Sequence, residues 1–183
     1  MKKAYGNTKG LKASQIHKIE NLYRRKTPSE FIITPELARD MSRLSRDIKR
    51  QIGLLIDRKG KIPYVVVGNH NEIVIPDTPE YRSAPGRLRG IRCVHTHLDN
   101  EPLTTDDLTD LALLRLDLMA VVQVGRNGLH KQVLMSHILP KNTGRPTTMP
   151  VSLAPGKTDI QCVELSQSIE DELSRITPLL SAG

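Results

Sequence analysis

The chain has 183 residues, 38% of them hydrophobic and 26% charged, with a formal net charge of +7. That length suits one domain, or one domain with extensions, and can bury a core without disulfide staples. No apolar run is long enough for a membrane span, no apolar stretch follows the first lysines, and two cysteines, Cys93 and Cys162, are too few for a disulfide framework or a cysteine-ligated zinc site, so a cytoplasmic protein with reduced thiols is expected.

Helical spacing of Ile16, Ile19, Leu22 and Tyr23 predicts a first helix over about 12–26, ended by Pro28. Thr34 as N-cap and Pro35 at the first helical position open a second, with Leu37, Met41, Leu44 and Ile48 as its apolar stripe. The apolar run 52–57, the turn 58–61 and the run 62–67 read as a hairpin, and 72–75 as a third strand. Residues 76–90 read as a long surface loop and 91–95 as a fourth strand running into Thr96 and His97. A helix at about 105–117, strands at 119–124 and 131–139, a Pro/Thr/Gly-rich linker and a last helix at about 160–176 complete the order. The last helix is also a candidate regulatory or oligomeric contact.

Charge is uneven. Residues 1–60 hold fifteen Lys/Arg against six Asp/Glu. A basic first third points to an anionic partner, RNA or the ribosome, with Lys12, Lys18, Arg24, Arg25, Arg39, Arg43 and Arg46 as candidate contacts; a solvated helix surface is the plainer reading. Aromatic residues make up only 3%, which argues against recognition by stacking on single-stranded bases.

The most specific segment is His95-Thr96-His97, followed by Pro102, Thr104 and Asp107. Residues two apart on a strand share a face, so both imidazoles point the same way. Thr104-x-x-Asp107 is a capping-box-like helix start. Two imidazoles and a carboxylate brought together there can hold zinc and leave a fourth position for water. The same residues also read as a polar strand end and an acidic helix cap.

This segment resembles the His-x-His-Pro…Pro-Ser-x-x-Asp motif of the JAMM/RadC group, metal-dependent isopeptidases and relatives of the RadC proteins. The resemblance implies a cytidine-deaminase-like α/β fold, with a mixed sheet flanked by helices. It implies His95, His97 and Asp107 as metal ligands and Thr104 in the place of the serine that helps polarise substrate. The motif is degenerate here: Leu98 and Leu103 stand where the pattern has proline, and the loop is one residue short. The group's upstream glutamate, its general base, has no counterpart before the strand 52–57, where Lys49, Arg50 and Gln51 stand and Asp47 is the nearest acid.

A second resemblance covers nearly the whole chain. Gly6-Asn7-Thr8-x-Gly10-Leu11-Lys12, Leu22-Tyr23-Arg24-Arg25, Pro35-Glu36-Leu37-Ala38-Arg39, residues 50–58 and residues 95–117 are similar, in order, to the N-terminal extension of long bacterial HflX-type GTPases. It implies an accessory domain of a cytoplasmic, ribosome-associated GTP-binding protein, whose C-terminal GTPase region would be its partner. GTP and magnesium would bind outside this chain. Gly156-Lys157-Thr158 ends like a phosphate loop, but Val151 stands where the first glycine is required. The expected organisation is a basic two-helix arm over 1–50, a JAMM/RadC-like α/β core over 51–140, a linker over 141–158 and a C-terminal helix over 159–183.

Overall fold

The computed structural model describes residues 2–137, apart from 85, 86 and 89, together with residues 160–162. A short strand β1 (Tyr5–Gly6) precedes helix α1 (Ala13–Glu20), a 3-10 turn (Asn21–Arg24) and helix α2 (Pro35–Ile48). Strands β2 (Ile52–Asp57) and β3 (Tyr64–Val67) form a hairpin, as do the shorter β4 (Arg82–Ala84) and β5 (Arg87–Leu88). Strand β6 (Ile91–Leu98), helix α3 (Thr105–Leu113) and strands β7 (Leu118–Val124), β8 (His130–Ser136) and β9 (Ile160–Cys162) follow. The main sheet runs β1-β3-β2-β6-β7-β8-β9. β1 with β3, β6 with β7 and β8 with β9 are parallel; the other pairs are antiparallel. The class is therefore mixed α/β, with helices flanking a mixed sheet.

Alternation along the strands divides the core into two layers. Ile52, Leu54 and Ile56 of β2, Val94 of β6 and Ala120 and Val122 of β7 share one cluster with Leu37, Ala38, Met41 and Ile48 of α2. Leu55, Cys93 and Met119 face the other way, onto Leu108 and Leu111 of α3. α3 is the crossover that a parallel β6–β7 pair requires. Thr34 caps α2 by accepting from the Leu37 N–H at 3.3 Å. Met41 is fully buried under α2, and truncating it to Ala should cost about 2–5 kcal/mol.

The basic N-terminal segment is not spatially separate from the sheet: Ile19, Leu22, Ile33 and Leu37 belong to the same cluster as β2, β3 and β7. The apolar stripe of α2 needs the sheet to cover it, and only its charged side remains in water.

Five expected elements differ. Residues 72–75 form no strand, because β1 occupies the edge of β3 where they would pair, and Ile73 lies across Gly53 instead. Residues 79–81 make a 3-10 turn, and the segment expected to be a loop contains the β4–β5 hairpin. The first helix closes at Glu20 and passes into the 3-10 turn. α3 stops at Leu113, with Arg115 left-handed at φ 52° and the Leu116 N–H donating back to the Leu111 carbonyl. Leu118 extends the apolar spacing of Leu108, Leu111 and Leu114, but it is buried as the first residue of β7. The linker and most of the helix expected at 160–176 lie outside the described residues; the first three residues of that helix, Ile160–Cys162, are strand β9. Among the described residues no helix is long and apolar enough to cross a membrane.

Candidate metal centre

His95 and His97 sit at the carboxyl end of β6, on the face turned toward α3, and are 0% and 2% exposed. Thr96 between them points to the α2 side. Its hydroxyl accepts from the Ile52 N–H at 2.9 Å and donates to Ser45 Oγ at 2.8 Å, which ties β6 to β2 and α2. Immediately after the strand the chain reverses through Asp99 and Asn100, both left-handed at φ 58° and 65°. Asp and Asn tolerate that conformation better than other side chains.

The reversal returns Pro102, Thr104 and the start of α3 to the histidines. His97 Nδ1 lies 2.7 Å from the Pro102 carbonyl oxygen, so this nitrogen carries the hydrogen and donates it. Thr104 caps α3: its hydroxyl oxygen accepts from the Asp107 N–H, while its own N–H donates to Asp107 Oδ2 at 2.7 Å. The capping box read in the sequence is formed, and it fixes the carboxylate over the strand end.

The three side chains close on one another. His95 Nε2 is 2.9 Å from His97 Nε2 and 3.0 Å from Asp107 Oδ1, and His97 Nε2 is 3.4 Å from Asp107 Oδ2. Ligand atoms about 2.0–2.1 Å from a common tetrahedral zinc lie roughly 3.3 Å apart, close to these separations. The charge balance fits a cation as well. His97, with its hydrogen on Nδ1, turns a lone pair inward, and Asp107 adds a carboxylate. Of the three groups only His95 Nε2 can carry a hydrogen into the space between them, and His95 Nδ1 is buried without a partner. His95, His97 and Asp107 form the one group among the described residues with the spacing to hold a metal ion.

Electrostatics favour the ligand forms of His97 and Asp107. Burial, then the neighbouring His95, push the His97 imidazole below its ordinary value and keep it neutral, against the pull of Asp107. Burial works to raise Asp107, but the hydrogen bond and charge of His95, the Thr104 backbone and His97 outweigh it and hold the carboxyl well below its ordinary range. Neutral imidazole and carboxylate are the states that bind metal.

Thr104 stands beside the centre, but its hydroxyl hydrogen goes to Asp107 Oδ2 at 2.8 Å, so its role here is to orient a ligand. Other residues at the site carried no sequence signal. Gln123 pairs with His97 across β7 and donates from Nε2 to the Asn100 carbonyl at 2.7 Å, bracing the reversed turn. Asp110, one helical turn beyond Asp107, is raised by burial, then by Asp107 and Asp106, and feels the charge of His95. Gln51, buried immediately before β2, leaves both side-chain polar atoms unpartnered.

The basic candidates lie on or beside α1 and α2. Lys12, Lys18, Arg24, Arg25, Arg39 and Arg43 are exposed and Arg46 is half-buried. Lys18, Arg25 and Arg43 line one groove between the α1 segment and α2, where Arg25 pairs with Asp40. Arg24 and Arg25 also line a neighbouring cavity with Lys2, Lys26 and Lys61. Arg46 lies 3.4 Å from Asp99. Lys12 and Arg39 line neither cavity.

Set beside models of protein families, characterised proteins and solved structures, the chain matches none of them.

Proposed function

We propose that this chain is an accessory N-terminal domain of an HflX-type GTP-binding protein, organised around a zinc centre and meeting RNA or the ribosome through its basic α1–α2 side. The convergence of His95 Nε2, His97 Nε2 and Asp107 within 2.9–3.4 Å carries the metal part of this reading. The ordered stretches that resemble long HflX-type proteins support this reading, and the Lys18/Arg25/Arg43 groove supports an anionic partner. GTP and magnesium belong to the GTPase region of the parent protein. Zinc held by three protein groups keeps one position for water or substrate and acts there as a Lewis acid.

The test is zinc added to the metal-free chain. One equivalent should bind and raise the unfolding temperature, because a ligand that binds only the folded state stabilises it. No binding would refute the zinc centre. Co-sedimentation with ribosomes, lost when Lys18 and Arg43 are reversed to Glu, tests the partner.

A second reading, a JAMM-like zinc-dependent hydrolase, is favoured by one observation. Asp110 lies one helical turn beyond Asp107 on α3, on the same side of that helix, and is a half-buried carboxyl that burial raises above its ordinary range. Under this reading Asp110→Asn would abolish isopeptide hydrolysis by the zinc-loaded chain without displacing zinc. Hydrolysis undiminished in that variant would remove Asp110 from the reaction.

A further inference from the structure

β2 lies antiparallel to β6 with Gly53 against His95. Directly opposed residues in such a pair share a face of the sheet. Gly53 confirms it: a Cβ built there would lie 3.5 Å from His95 Cβ. Gln51 immediately precedes β2, and this register, continued two residues beyond its last pair of Gly53 with His95, would set it level with His97. Ile52, between Gln51 and Gly53, packs toward α2, so alternation puts Gln51 on the opposite face, the one that carries Gly53 and His95. Its backbone is fully used, the N–H donating to the Asn69 carbonyl and the carbonyl accepting from the Gly68 N–H. Its side chain is 1% exposed, yet neither Oε1 nor Nε2 has a partner. A buried carboxamide left unpaired costs stability that an apolar residue would not.

We infer that Gln51 is a further residue of this centre, its carboxamide holding a small carboxylate-bearing ligand at the metal's open position. The inference rests on the zinc reading above. A neutral carboxamide suits an anion on a cation: Nε2 donates to the ligand oxygen, and no negative charge opposes it. Asn100, whose buried Oδ1 is also unpartnered, follows His97 by three residues on the reversed turn.

Cobalt(II), loaded in place of zinc, gives the centre a visible spectrum, and acetate serves as the probe ligand. Wild type, Gln51→Leu, Gln51→Met and Gln51→Glu are compared, with folding checked by circular dichroism. All should take up one cobalt, and acetate should shift the wild-type spectrum. Leu and Met, lacking a hydrogen bond to a charged oxygen, should weaken acetate by about tenfold or more. Glu, placing like charge beside the anion, should weaken it at least as much. Cobalt uptake with acetate affinity equal across the folded variants, or with no acetate response in wild type, would overturn the role of Gln51 alone. Absence of cobalt uptake by wild type would overturn the zinc reading and this inference with it.

Discussion

His97 donates its Nδ1 hydrogen to the Pro102 carbonyl at 2.7 Å, and this bond decides which nitrogen faces His95 and Asp107. The inward Nε2 is left with a lone pair. A turn that begins at Asp99 therefore sets the chemistry of a side chain two residues before it, as outer partners commonly do for metal-binding histidines.

Thr104 holds Asp107 by the cap, so Thr104→Ala should cost about 1 kcal/mol of stability and lower zinc affinity about 10–100-fold. Thr104→Ser should restore both. Urea unfolding and competition with a zinc chelator measure the two effects separately. Unchanged zinc affinity in Thr104→Ala would show that the capping box does not position the ligand.

The metal-free chain should lose stability in acid. His97 sits below its ordinary 6.5, so the contribution of its neutral form is complete above that value and is lost as pH falls through the lowered one. Asp107 behaves likewise below its ordinary 3.8. The urea midpoint at pH 5 should lie below that at pH 7, and His97→Asn should narrow the gap. A higher midpoint at pH 5 would contradict the sign.

Gln51→Leu should stabilise the metal-free protein, because it removes an unpaired buried amide worth about 1–3 kcal/mol in desolvation. Thermal unfolding after chelation reads this directly. A lower unfolding temperature would mean that the carboxamide is paired within the folded chain.

Cys93 is 1% exposed, and burial, with Asp107 and Asp110 nearby, pushes its thiol far up. In a Cys162→Ser background the folded chain should resist alkylation at pH 8 and react only on unfolding. Rapid labelling of the folded chain would show that this part of the α3 layer opens readily.

Reversal of Lys18 and Arg43 to Glu should weaken RNA binding and flatten its salt dependence, by roughly one unit of slope for each phosphate no longer neutralised. Binding measured across a salt series checks both, and an unchanged slope would remove the groove from the interface.

Local signals in the sequence reached far. Thr34-Pro35 marked the start of α2, the apolar runs marked β2, β6 and β7, and His95-Thr96-His97 with Thr104-x-x-Asp107 supplied the candidate ligands. What escaped depends on the packing of distant segments. Ile73 reads as part of a strand but lies on Gly53, where an added Cβ would meet its Cδ1 at 2.2 Å. Gln51 has no local signal, since only the fold buries it and leaves its carboxamide unpartnered. Asp110 reads as one more acid on a polar helix face until the fold buries half of it. Charge marks the outer face of the two basic helices, while the apolar stripe beneath them packs on the sheet.

Elemental analysis of the purified chain beside a His95→Ala/His97→Ala variant tests the zinc centre most directly. One zinc per wild-type chain, absent from the folded variant, is the expected result. A folded wild type that carries no metal, and acquires none when zinc is supplied, would contradict it.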